Sequence, residues 1–129
     1  MSAGEIIGAV NPPTMPDAPK VPSVHLAELP DDAILLDVRE PQEWAAGHAP
    51  GAVHIPLADL PGRLHELPQR GEGDGPLAVT CRSGGRASRA VAWLASQGID
   101  AVNLDGGMKA WESAGRPLVA APGTSPTIR

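Results

Sequence analysis

The chain has 129 residues, a formal net charge of −5 and a single cysteine. This length predicts one domain with a core large enough to fold without disulfides or a metal. The acidic balance argues against nucleic-acid binding, and the four histidines lack the spacing of metal ligands. No apolar run reaches the ~20 residues of a membrane span, and the first residues lack the features of a signal peptide. We therefore expect a cytoplasmic protein without a metal, a membrane partner or a nucleic-acid partner.

Proline and apolar patterning divide the chain into three segments. Residues 1–22 contain five prolines and predict an extended N-terminal arm. Residues 119–129 are small and polar and predict a flexible C-terminal tail. The folded domain is expected to occupy residues 23–118.

Within 23–118, short apolar runs alternate with helix-like stretches. The strongest helix is predicted at 86–97, where Ala87, Ala90, Val91 and Leu94 form one apolar stripe and Gly98 suits a left-handed cap. Such alternation predicts an α/β fold, an open parallel sheet of about five strands with helices on both faces. The strands are expected at 23–26 (an edge strand), 33–38, 52–56, 76–80 and 99–104. The remaining helices are expected at 41–46, ending at Gly47, at 57–68 as a short helix or two turns, and at 108–115 after a turn at 105–107.

The only cysteine lies in the stretch "VTCRSGGRA", residues 79–87, between a predicted strand and the strongest helix. Ligands bind beyond the carboxyl ends of strands in open parallel sheets. Gly84 and Gly85 can turn backbone N–H groups inward to form an anion-binding nest, and Ser83 adds a hydroxyl donor. Arg82 and Arg86 add positive charge beside a helix N-terminus, and together these features favour the thiolate form of Cys81.

A single cysteine at a strand end is more often a small buried apolar residue than a nucleophile. Arginines at a helix start are mildly unfavourable against the helix dipole, however, so Arg82 and Arg86 are best explained by a bound anion. The combination of thiol, glycines and arginines therefore predicts an active-site loop, with Cys81 as the catalytic residue.

Three stretches resemble the motifs of one known family in the right order. "CRSGGRA" (81–87) resembles the active-site loop of rhodanese-type sulfurtransferases, "LLDVREPQEWAAGHAPGAVHIPL" (35–57) resembles their first motif, and "LDGGMKAW" (104–111) resembles the motif near their C-terminal end. The chain looks like a free-standing, single-domain member of that family. The resemblance implies a rhodanese-like fold for residues 23–118.

The resemblance also implies a function and roles for individual residues. Cys81 would take a sulfane sulfur from a donor such as thiosulfate, carry it as a persulfide, and pass it to cyanide, a thiol or a sulfur-accepting protein, without any cofactor. Arg82, Ser83, Gly84, Gly85 and Arg86 would bind the donor anion and the persulfide. Asp37 and Arg39 would brace the loop from behind, although a purely structural strand-end pair explains them equally well.

Two other functions stay open at this stage. A phosphatase or arsenate reductase of the related cell-cycle phosphatase type has one more residue in its loop, whereas Arg86 here follows Cys81 after only four residues. A non-enzymatic persulfide or redox sensor, or a sulfur-relay module, would use the same cysteine as its signal.

Overall fold

The protein is described by a computed structural model that covers residues 19–70 and 73–129. Within these residues, five short strands form one parallel sheet, as the alternating pattern predicts. The strands are β1 (Ser23–Val24), β2 (Leu35–Asp37), β3 (Val53–His54), β4 (Leu77–Thr80) and β5 (Ala101–Leu104). Their spatial order is β1-β5-β4-β2-β3, so β4 lies at the centre and β1 at an edge.

The helices α1 and α2 lie between strands and α3 follows β5, all close to the predicted places. They are α1 (Pro41–Ala46), α2 (Gly85–Ser96) and α3 (Gly107–Ser113), with 3-10 helices at Leu26–Glu28, Leu57–Gly62 and Leu64–Glu66. Gly98 follows α2 with a φ of 80°, and the N–H of Ile99 donates to the carbonyl oxygen of Leu94. This cap uses residues that the sequence pattern assigns to a strand, and β5 therefore begins at Ala101 rather than at 99.

Two apolar clusters cover the two faces of the sheet. The apolar stripe of α2 is fully buried, and it packs on one face with alternate strand residues such as Leu36 and Val79. Leu35, Leu104 and Trp111 belong to the cluster on the opposite face, beneath α3. Successive strand residues point to opposite faces, so the three inner strands β2, β4 and β5 each contribute to both clusters. The prediction of helices on both faces is confirmed.

The sheet register brings the candidate site residues to one edge. In the central pairing, Asp37 of β2 lies beside Thr80 of β4, and Val79 lies beside Asn103 of β5. Cys81 comes directly after β4 and therefore lies at the carboxyl edge of the sheet, where ligand sites of open parallel sheets are found.

Residues at both ends of the predicted domain make contacts with it. The arm prediction falls largely on residues 1–18, outside the described residues, but the carbonyl oxygen of Pro22 accepts a hydrogen bond from the Asn103 N–H. At the other end, Val119 forms a β-bridge with His48, and Ile128 is only 5% exposed. The last residues thus pack against the domain, whereas the sequence pattern predicts a flexible tail. None of the helices in 19–70 and 73–129 is long and apolar enough to cross a membrane.

Candidate active site

Cys81 lies at the base of the loop between β4 and α2 and is 1% exposed. Its Sγ accepts a hydrogen bond from the Gly84 N–H, at a distance of 3.0 Å from sulfur to nitrogen. Gly84 has a φ of 123°, in the region that favours glycine, and it is the residue that caps the N-terminus of the 12-residue helix α2. The thiol therefore lies at the N-terminus of α2 and contacts one inward-turned amide, whose N–H donates to sulfur.

The other side of the loop is held by α3. The carbonyl oxygens of Cys81 and Arg82 accept hydrogen bonds from the N–H groups of Met108 and Lys109, at 2.8 and 3.0 Å. These two N–H groups belong to the first turn of α3, which has no partners for them within the helix. These hydrogen bonds fix the loop through backbone atoms alone. Because no side chain takes part, the residue types of the loop did not predict this contact.

The predicted loop residues do lie together, but their side chains have different partners. Arg82 is exposed, and its Nε donates to the carbonyl oxygen of Arg129 at 3.0 Å. Ser83 is exposed and Gly85 begins α2. The carbonyl oxygen of Gly84 accepts hydrogen bonds from both the N–H and the hydroxyl of Ser88, at 2.9 and 2.8 Å. The loop thus joins α2 through its backbone, while Arg82 extends along the surface.

Arg86 has a partner that the sequence analysis missed. Its two Nη atoms donate to the two carboxylate oxygens of Glu43 in α1, at 2.7 and 2.9 Å. These hydrogen bonds lower the pKa of Glu43 to about 2 despite the opposing effect of its burial. Glu43 and Arg86 are 43 residues apart, so no local pattern could reveal the pair.

Asp37 and Arg39 form a buried ion pair behind the loop. Both side chains are 0% exposed, and Arg39 donates to both carboxylate oxygens of Asp37, with the shortest distance 2.7 Å from Nη2. Arg39 also donates to the carbonyl oxygens of Glu43 and Gly47, at 3.4 and 2.8 Å. The pair therefore contacts both the middle and the end of α1, and reaches Arg86 only through Glu43.

One buried polar group beside the loop was also missed from the sequence. The side-chain oxygen Oδ1 of Asn103 is buried and has no hydrogen-bond partner among the described residues. A Cβ atom added at Gly84 would lie 3.7 Å from Asn103 Nδ2. Asn103 therefore lies directly behind the residue whose N–H contacts the thiol, and any side chain at position 84 would approach it.

His48 and His54 have structural partners. The ring of His48 stacks on Trp44 with 3.6 Å between centroids, and its Nδ1 lies 2.7 Å from the carbonyl oxygen of Trp44. His54 stacks on the same indole at 4.7 Å. Within 19–70 and 73–129, no group of three or more His, Cys, Asp or Glu residues could hold a metal ion.

The fold and this loop define a class of protein: an α/β domain that holds one thiol at the N-terminus of a central helix, at the carboxyl edge of a parallel sheet. The family model for the rhodanese-like domain matches residues 21–114. The chain therefore belongs to the rhodanese-like domain family. The family resemblance of the three sequence motifs is confirmed.

Individual relatives cover most of the chain. A protein named sulfurtransferase from Allochromatium vinosum is 40% identical over 94 residues, which is 72% of this chain and 84% of that protein. The crystal structure of a rhodanese-related protein from Thermoplasma volcanium is similar with a TM-score of 0.66 and 32% identity, over 77% of this chain and 98% of that one. An NAD-dependent persulfide reductase from A. fulgidus is similar with a TM-score of 0.56 and 32% identity, over 70% of this chain and 16% of that chain.

Proposed function

We propose that this protein is a sulfurtransferase that carries a sulfane sulfur as a persulfide on Cys81. The observation that carries the proposal is the contact between Cys81 Sγ and the Gly84 N–H at the start of α2. This arrangement stabilises an attacking thiolate and offers a donor to a second sulfur atom bonded to it. The family and the sulfurtransferase name of the Allochromatium relative support the same activity.

The first half-reaction loads the cysteine. With thiosulfate as donor, the Cys81 thiolate attacks the outer sulfur, a new S–S bond forms, and the S–S bond of thiosulfate breaks. Sulfite leaves with the electron pair, and the negative charge of the thiolate is carried by the terminal sulfur of the persulfide. The loop amides and the N-terminus of α2 stabilise this terminal sulfur by hydrogen bonding and by the helix dipole.

The second half-reaction transfers the sulfur from Cys81 to an acceptor. An acceptor nucleophile, either cyanide or a thiolate, attacks the terminal sulfur, and the persulfide S–S bond breaks with its electron pair returning to Cys81. The products are thiocyanate or a new persulfide, together with the regenerated thiolate. This is double displacement through a covalent intermediate, in which the thiolate of Cys81 attacks in the first step and leaves in the second.

The proposal is tested by intact-protein mass spectrometry in the absence of reductant. Incubation of the wild type with thiosulfate should add about 32 Da, one sulfur atom, and cyanide should remove it. Cys81→Ser should gain no mass while keeping the wild-type circular dichroism spectrum. A wild type that never gains sulfur, although Cys81 still reacts with an alkylating agent, would contradict the proposal. A persulfide that forms but is not turned over by cyanide would instead indicate a sensor or relay.

A further inference from the structure

The guanidinium of Arg86 is paired with a carboxylate beside the loop. Both of its Nη atoms are used by the carboxylate of Glu43, and the two side chains are only 29% and 16% exposed. From the sequence, Arg86 is expected to meet the negative charge of a sulfur donor. In the structure, the carboxylate of Glu43 already compensates the positive charge of Arg86.

Glu43 is held in place by its own helix. Its Oε1 accepts a hydrogen bond from the Glu40 N–H at 2.9 Å, and its backbone carbonyl oxygen accepts one from Arg39. With a pKa lowered to about 2 by its hydrogen bonds with Arg86, Glu43 stays ionised throughout the neutral range. The negative charge at this position is therefore a permanent part of the site.

The pair is close enough to the thiol for charge to matter. Arg86 is the second residue of α2, two residues after Gly84, whose N–H donates to Cys81 Sγ at 3.0 Å. A donor that delivers its sulfur to Cys81 must therefore come within reach of the same charges. Coulomb energy is proportional to each charge, so a carboxylate here disfavours a dianion twice as strongly as a monoanion.

Resting on the persulfide chemistry proposed above, we propose that Glu43 is a specificity-determining residue that neutralises Arg86 and thereby favours sulfane-sulfur donors with one negative charge over inorganic dianions. Thiosulfate is then a slow donor of this enzyme. A donor with a single charge transfers its sulfur by the same displacement: the Cys81 thiolate attacks the outer sulfur, the donor S–S bond breaks, and a sulfinate or a thiolate leaves with the electron pair.

Two synthetic donors separate charge from shape. Thiosulfate carries two negative charges, and methanethiosulfonate has a methyl group in place of one oxygen and carries one. We would measure kcat/KM for each donor with cyanide saturating, because in double displacement this constant reports the loading step alone. Mass spectrometry would establish that each donor loads Cys81.

The main variant is Glu43→Gln, which keeps the shape and the acceptor for the Glu40 N–H but removes the charge. We expect kcat/KM to rise about tenfold for thiosulfate and about threefold for methanethiosulfonate, since the logarithm of the effect doubles with donor charge. Both gains should shrink at high ionic strength. The matched control is Glu66→Gln, because Glu66 forms a similar two-point pair with Arg63, at 2.8 and 2.9 Å, away from the loop. It should change neither constant.

Arg86→Gln completes the test. As a single substitution, it leaves the negative charge of Glu43 without its partner, so kcat/KM for thiosulfate should fall about tenfold. Combined with Glu43→Gln, it should return that constant to within about threefold of the wild type, because the net charge of the pair is again zero. A pair that only supported the loop would give a double variant as slow as the slower single one.

The outcomes distinguish this inference from the proposed function. A wild type that takes sulfur from neither donor would overturn both. In the other outcomes the wild type is loaded with sulfur, while Glu43→Gln leaves kcat/KM for thiosulfate unchanged, lowers it, or raises kcat/KM for both donors equally. Each of these results would overturn the role of Glu43 and leave the persulfide mechanism standing.

Discussion

At the scale of single residues, the buried pair of Asp37 and Arg39 shows how the first motif supports the site. Every hydrogen bond of the Arg39 side chain goes to Asp37 or to carbonyl oxygens of α1 and Gly47. Neither residue touches the loop at 82–86 through a hydrogen bond among the described residues. The pair therefore positions α1, and α1 in turn presents Glu43 to Arg86.

Asp37→Asn should destabilise the protein by about 3–5 kcal/mol, because it leaves the Arg39 guanidinium buried without a countercharge. Denaturant unfolding followed by circular dichroism would measure the loss. The control is Asp59→Asn, since Asp59 is half exposed and pairs with Arg63 at 3.7 Å. That variant should cost less than about 1 kcal/mol. Equal losses in the two variants would show that the buried pair is dispensable.

At the scale of elements, the contact between α3 and the loop that follows β4 depends on Gly107. Gly107 has a φ of 57°, and a Cβ atom there would lie 2.6 Å from the carbonyl oxygens of Cys81 and Arg82. The sequence analysis identifies Gly106 and Gly107 only as turn residues. Their further role is to let the first turn of α3 approach the loop closely enough for its N–H groups to bind those carbonyls.

Gly107→Ala should therefore damage both stability and sulfur transfer. We expect a loss of more than about 3 kcal/mol, from left-handed strain together with the displaced loop backbone, and slower persulfide formation in the folded fraction. Gly98→Ala is the matched control, because Gly98 has a φ of 80° but open space around the added Cβ atom. It should cost only about 1–2 kcal/mol and leave sulfur transfer unchanged. Similar effects of the two substitutions would argue against the close approach.

At the scale of the whole molecule, the C-terminal segment connects distant parts of the fold. The Thr127 N–H donates to the carbonyl oxygen of Ala46 in α1, and the Ile128 N–H donates to Glu112 of α3 at 3.2 Å. The side chain of Ile128 belongs to the apolar cluster beneath α3. Gly47 makes this docking feasible, because a Cβ atom at that position would lie 2.5 Å from the carbonyl oxygen of Thr127.

Ile128→Ala should destabilise the protein by about 2–5 kcal/mol, because it leaves a cavity in the apolar cluster beneath α3. Thermal or denaturant unfolding would measure the effect. Ile34→Ala serves as the control, since Ile34 is 49% exposed and its truncation should cost less than about 1 kcal/mol. A cost for Ile128→Ala as small as that of Ile34→Ala would mean that residues 119–129 form the flexible tail that their composition predicts.

The features that could be predicted from the sequence are those governed by short-range chemistry. The stripe of Ala87, Ala90, Val91 and Leu94 predicts a helix with one buried face, and all four are buried. The apolar runs and glycines placed five strands and the loop of Cys81 correctly to within a few residues. Periodicity and backbone freedom act over a few residues, so a linear pattern is sufficient to read them.

The tertiary structure alone decided which charges and backbone groups meet. Glu43 compensates Arg86, the N-terminus of α3 binds the loop carbonyls, and Ile128 reaches the core. Each contact joins residues far apart in the chain, and its existence depends on how α1, α3 and the chain end are placed around the sheet. The sequence by itself determined the cysteine-containing loop and its place between a strand and a helix, whereas packing determined the charge that surrounds it.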